Sequence, residues 1–181
     1  MTETSPENDS ALLRRKPHVL FVGQHDGTYT QMALGYMSTL GADMLDAESG
    51  GIQSNAIDPR VTRSMSEDGI DIRRHQASLV SGRQLRWADL VITIGTLEED
   101  FRVAVPGSAH QKRWSVRQGL GADSQDVGPE VYNACRDEIK QRIQGMLQAI
   151  RLFRVAKESH SRAGRRAGPR AGGKTEFSAG S

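Results

Sequence analysis

An apolar run, His18-Val19-Leu20-Phe21-Val22, is followed by Gly23-Gln24-His25-Asp26-Gly27-Thr28-Tyr29-Thr30, and this polar stretch holds the residues best placed to do chemistry. His25 beside Asp26 offers an acid–base pair or two metal ligands. No further ligand cluster accompanies them, so no metal site is expected and His25 is read as organising the loop. Gly23 and Gly27 permit a turn whose successive amides point inward, and such a nest ahead of a helix favours an anion. Asp26 opposes this with a carboxylate, and Tyr29 is large enough to fill the mouth. The lysine of a nucleoside-triphosphate loop is absent. Cys135 is the single cysteine and cannot form an internal disulfide, a dithiol pair or a multi-cysteine zinc site. It falls on an apolar helical stripe, the place of a small buried hydrophobe. Trp87 and Trp114 are read as packing residues rather than a stacking platform.

The elements around this stretch alternate. His18 to Val22 has the composition of a strand buried on both faces. After a loop over residues 24–28, Met32, Ala33, Tyr36, Met37 and Leu40 recur at helical spacing until Gly41. Met44-Leu45 forms a weak second strand before a Ser49-Gly50-Gly51 loop. Asp58-Pro59 is an N-cap followed by proline at the first helical position, and Gly69 ends that helix. Ser81 caps a short helix, Leu90-Val91-Ile92-Thr93-Ile94 is the clearest strand, and Arg113-Trp114-Ser115-Val116 is a short fourth. Gly128-Pro129-Glu130 opens the longest helix, with Val131, Cys135, Ile139, Ile143, Met146, Leu147 and Ile150 as its stripe, ending after Phe153. Strands alternating with helices imply a small doubly wound α/β fold with a parallel sheet, whose ligands sit beyond the carboxyl ends of the strands. The loop after the first strand is therefore where a site belongs.

At 181 residues and a mean hydropathy of −0.54, the chain has room for one soluble domain with polar extensions. No apolar run approaches the ~18 residues of a membrane span, and the polar start is no secretory signal. A cytoplasmic protein without membrane contact is expected. Residues 1–16 are read as a disordered leader, 17–153 as the domain and 154–181 as a disordered basic tail. The tail carries seven Lys/Arg against two acids, while the rest is net negative. Arg162, Arg165, Arg166, Arg170 and Lys174 suit an acidic partner or nucleic-acid phosphates. No aromatics interleave them, so base stacking is not indicated.

The run Val22-Gly23-Gln24-His25-Asp26-Gly27-Thr28-Tyr29-Thr30-Gln31-Met32-Ala33 resembles the catalytic loop of low-molecular-weight tyrosine phosphatases and the related arsenate reductases. That loop reads V-C-x-H-N-x-x-R-S-Q-M-A in arsenate-reductase-like members. The similarity continues through Asn55-Ala56-Ile57-Asp58-Pro59-Arg60, Met65-Ser66-Glu67-Asp68-Gly69-Ile70-Asp71-Ile72, Trp87-Ala88-Asp89-Leu90-Val91-Ile92-Thr93 and Arg136-Asp137-Glu138-Ile139, about residues 17–153 in all. The resemblance implies a four-stranded parallel sheet flanked by helices.

It also implies roles that these residues do not fill. The family's nucleophilic cysteine, a thiolate stabilised by loop amides and a helix N-terminus, corresponds to Gly23. The arginine that grips the oxyanion corresponds to Tyr29. The region of its aspartic acid in a D-P context corresponds to Trp114-Ser115-Val116-Arg117-Gln118-Gly119, with Ser115 at the degenerate position; Asp123 and Asp126 lack that context. Cysteines that would resolve an oxidised intermediate are missing as well.

The resulting expectation is a pseudoenzyme with no catalytic residues and no cofactor. It would act as a binding or regulatory module whose partner, a protein or a small anion, meets the degenerate loop of residues 23–30. Two alternatives stand beside it: an enzyme of altered mechanism using His25, Asp26, Tyr29 or Thr30, and a nucleic-acid-associated protein acting through its tail. Replacing Gly23 by Cys together with Tyr29 by Arg is expected to restore anion binding ahead of turnover.

Overall fold

Val19, Leu20, Phe21 and Val22 are all buried, and because alternate side chains leave a strand on opposite faces, this strand needs cover on two sides. The computed structural model supplies it, describing residues 15–97, 101–117, 120 and 127–166, with side chains as far as residue 156. The elements are β1 (His18–His25), α1 (Tyr29–Leu40), β2 (Asp46–Gln53), α2 (Pro59–Glu67), α3 (Gly82–Trp87), β3 (Leu90–Thr96), β4 (His110–Val116) and α4 (Pro129–Arg166). The four strands form one sheet in the order β2-β1-β3-β4, parallel throughout. Leu20 and Val22 pack with Ala88, Val91 and Phe101 in one cluster, and Phe21 meets Trp114 with ring centroids 5.9 Å apart. Burying each such side chain contributes about 1.5–3 kcal/mol before the entropy of ordering it is subtracted.

The helix boundaries follow from their caps. Asp58 accepts the Arg60 amide at 2.9 Å and Pro59 opens α2, which ends before Gly69 at φ +78°. Ser81 and Gln84 form a reciprocal capping box on α3. Gly41, at the end of α1, donates its amide to the Met37 carbonyl at 2.9 Å.

Several elements are longer than the residues suggested. β1 runs through His25 because it stays in register with β2, Gly23 opposite Gly51 and His25 opposite Gln53. The expected loop of residues 24–28 is thus cut to 26–28. Ser49, Gly50 and Gly51 are not a loop but the middle of β2. Glycine is required there by close approach: an added Cβ at Gly50 would stand 2.8 Å from the Val80 Cα, and one at Gly51 2.6 Å from the Asp26 nitrogen. β4 begins at His110, so Ser115 lies inside a strand opposite Gly95, with its carbonyl accepting from Arg142 at 2.7 Å.

Of the leader expected over residues 1–16, only Arg15 and Lys16 are described. Arg15 donates twice to Asp89, at 2.8 and 2.7 Å, and Lys16 donates to the Ala42 carbonyl at 2.6 Å. α4 does not stop after Phe153 but continues to Arg166; alanine, arginine, lysine and glutamate sustain a helix without an apolar stripe. The rest of the tail, with Arg170 and Lys174, lies outside the described residues. The chain divides into two compact units, residues 1–147 and residues 148–181, with the sheet and helices α1 to α3 in the first.

Candidate functional site

At the carboxyl end of β1, Gly23 sits between Gly51 of β2 and Ile94 of β3. A Cβ added there would stand 2.8 Å from the His25 carbonyl oxygen and 3.1 Å from the Thr30 methyl. The volume that a side chain at position 23 would need is filled by the backbone two residues on. Gly27 is equally confined, since a Cβ would stand 2.3 Å from the Ala56 carbonyl oxygen, and the Gly27 carbonyl accepts the Asp58 amide at 3.1 Å. The stretch from β1 to α1 is therefore stitched to the residues preceding α2.

Among the described residues only Gly69 has positive φ. Gly23 and Gly27 are thus required by close approach rather than by a left-handed backbone. Tyr29, the first residue of α1, is 4% exposed, and its phenol oxygen accepts the amide of Leu120. Leu120 is itself buried. A neutral ring ties α1 to the chain beyond β4, at the position that the resemblance gives to a guanidinium.

Below the loop lies a buried polar cluster. Asp26 is 1% exposed and Thr30 is fully buried. Oδ2 of Asp26 accepts the Ser78 amide at 2.9 Å, while Oδ1, Thr30 Oγ1 and His25 Nδ1 have no partner in hydrogen-bonding geometry among the described residues. Gln31 donates to the Ser49 hydroxyl at 3.1 Å, and His75 donates from Nδ1 to Gln31 Oε1 at 3.0 Å. Burial pushes the Asp26 carboxyl above the usual carboxylate range, against the Ser78 amide and then the side chains of Thr30, Ser49 and Gln31, which pull it down. Burial lowers His75, opposed by the carboxylates of Asp26 and Asp71. What reaches solvent from the candidate loop is partial: Gln24, His25 and Thr28 are half-buried, and Gly23, Asp26, Gly27, Tyr29 and Thr30 are buried.

His75 and Ser78 carry no local signal and were not anticipated. They arrive because residues 78–80 run beside β2, with Ser78 accepting the Gly51 amide at 2.8 Å and Val80 donating to the Gly51 carbonyl at 2.9 Å. Ser115, expected at the site, is held in β4 as described. Asp123 and Asp126 lie outside the described residues. Cys135 is 2% exposed on α4, and burial pushes its thiol up to about 11, which makes it a poor nucleophile. Among the described residues no group of three His, Cys, Asp or Glu side chains is arranged to hold a metal ion.

The sequence profile of the low molecular weight phosphotyrosine protein phosphatases matches residues 18–157. The chain belongs to that family. It is 27% identical over 129 residues to arsenate reductase 2 of Staphylococcus epidermidis, covering 71% of this chain and 95% of that one. It is 29% identical over 129 residues to the arsenate reductase of Halalkalibacterium halodurans, covering 71% and 93%. A thioredoxin-dependent arsenate reductase of Corynebacterium glutamicum shares the family fold with a TM-score of 0.63 at 21% identity, covering 81% of this chain and 67% of that one. The α/β fold with its four-stranded parallel sheet is the family's. No helix among the described residues is long and apolar enough to cross a membrane.

Proposed function

We propose that this family member performs no phosphoryl or arsenate chemistry and acts in the cytoplasm as a binding or regulatory module. One observation carries the reading: the seat of a nucleophile at Gly23 is occupied by the His25 carbonyl, 2.8 Å from where a Cβ would stand. Buried Tyr29 supports it, because a phenol supplies at most one hydrogen bond where a guanidinium supplies a charged fork. Without the thiolate there is no covalent intermediate, and without the fork the charge that develops on an oxyanion goes unmatched. The surface left for a partner is formed by Gln24, His25 and Thr28, which suits contact with a protein segment better than enclosure of a small anion.

The relatives' names make arsenate the oxyanion to try first. The full chain is expected to give no arsenate reduction with thioredoxin and no hydrolysis of p-nitrophenyl phosphate above a buffer blank. Turnover that disappears in His25→Ala would overturn the proposal in favour of an enzyme of altered mechanism. That rival draws support from Asp26, whose burial favours a retained proton. The third reading, nucleic-acid association through the tail, requires salt-sensitive retention on DNA or RNA that is lost when residues 154–181 are deleted.

A further inference from the structure

Asp26 begins the turn of residues 26–28 that leads from β1 into α1, and its carboxyl is shut away from water. One amide is fixed on it, that of Ser78 on Oδ2 at 2.9 Å. Oδ1 and the buried Thr30 Oγ1 are without partners in hydrogen-bonding geometry among the described residues. A chain of donors leads toward this carboxyl. His75 Nδ1 donates to Gln31 Oε1 at 3.0 Å and Gln31 Nε2 to Ser49 Oγ at 3.1 Å, which leaves the Ser49 hydroxyl its own proton to give. Burial raises the Asp26 pKa against the pull of Ser78, Thr30, Ser49 and Gln31, and burial also holds His75 toward its neutral form. An acid so placed keeps its proton or must find water. The other titratable groups nearby are already engaged or lie on the rim. His25 precedes Asp26 on β1 and is half-buried. Asp71, whose charge reaches His75, is held by Arg73 at 2.7 Å. Asp58 is held by Arg60 at 2.8 Å and by the Tyr132 hydroxyl at 2.9 Å.

We propose that Asp26 is a pH latch on this turn: while its carboxyl is neutral, residues 26–28 and 78–80 stay closed on each other, and loss of the proton parts them and reshapes the face formed by Gln24, His25 and Thr28. The proton passes to bulk water, which enters as the turn lifts and solvates the carboxylate. Two ties must give: the Ser78 amide to Asp26, and the Asp58 amide to the Gly27 carbonyl at 3.1 Å. The pairing of β1 with β2 at Gly23 and Gly51 lies behind the turn and stays. The use of such a latch rests on the proposed role of that face in binding; its operation does not.

The test is amide hydrogen exchange of the full chain, followed by NMR from about pH 4 to about pH 9 and expressed as protection factors, which divide out the intrinsic effect of pH. Protection of the Ser78 and Asp58 amides should fall at least about tenfold as pH rises, while that of Gly41 and Ala88, whose amides close α1 and α3, holds. The carboxyl carbon shift of Asp26 should titrate with the same midpoint. In Asp26→Asn the Ser78 and Asp58 amides should stay protected throughout. The carbon shift is read on the parent, so the test stands even where the variant folds poorly. Protection that ignores pH, a loss shared by the control amides, or an equal loss in Asp26→Asn would each overturn the proposal. So would a carboxyl that titrates while Ser78 stays protected, since the hydroxyls of Thr30 and Ser49 would then have absorbed the charge by rotating. A loss abolished by His75→Gln but kept by Asp26→Asn would move the device to the imidazole and equally sink it. Arsenate reduction by the chain would defeat the binding role of the face and leave these protection factors unchanged.

Discussion

Asp26 concentrates the tension of the candidate site in one carboxyl group. Its folded-state pKa is raised, chiefly by burial, so the native state keeps its proton to higher pH than the unfolded chain does. Stability is then fullest below the unfolded value near 3.8 and is lost as pH rises from there through the raised pKa. Asp26→Asn keeps an acceptor for the Ser78 amide and removes the charge. Denaturant titrations from pH 4 upward should show a stability curve flatter than the parent's, with the variant ahead at neutral pH; parallel curves would show that Asp26 carries no burial penalty. Gly23 leads to a second outcome. Replacing Gly23 by Cys and Tyr29 by Arg reads, on sequence alone, as restoring an anion site. With the His25 carbonyl 2.8 Å from the new Cβ, overpacking is expected to cost about 1–3 kcal/mol. Titration calorimetry should then find no heat of phosphate binding, and a clear isotherm would show that β1 yields at His25.

At the level of elements, one carboxylate joins three helices. Asp68, capping the end of α2, accepts from the Tyr36 hydroxyl of α1 at 2.6 Å and from Lys140 of α4 at 3.0 and 2.8 Å. Lys140, then Tyr36, hold its carboxyl below the usual range, so its contribution is complete above about pH 4 and disappears as pH falls through the lowered pKa. Asp68→Asn should lower the thermal midpoint at pH 7, and the difference should shrink as pH falls through the lowered pKa and the parent loses the charge. A difference that persists in acid would assign the effect to packing. Elements of this kind were readable in proportion to how local their causes are. Asp58-Pro59 and Ser81 announce their helices because caps act within four residues. β2 was not, since Asp-Ala-Glu-Ser-Gly-Gly lacks the branched and aromatic side chains of a strand. Its glycines answer to Val80 and Asp26, distant in sequence. At the site, the glycine and the tyrosine were legible as residue types, whereas the carbonyl that fills the pocket and the His75–Gln31–Ser49 chain exist only through long-range pairing.

For the whole molecule, the buried apolar residues run from Val19 to Leu147, so the first compact unit contains the core among the described residues. Deleting residues 157–181 should therefore move the unfolding midpoint by no more than a few degrees, about what 1 kcal/mol produces in a domain of this size. A fall of ~10 °C or more would mean that the second unit contributes to the core's stability. Such a truncation, read by differential scanning calorimetry, also separates the scaffold's integrity from whatever the extension of α4 binds.

The two indoles make that scaffold observable by light. Trp87 stacks on His18 with ring centroids 4.2 Å apart, near where β1 and β3 begin, whereas Trp114 is 3% exposed near the far end of β4. Iodide ions in solution should collide with the first fluorophore and be shielded from the second. Single-tryptophan versions would then tell an experimenter which rim of the sheet frays first.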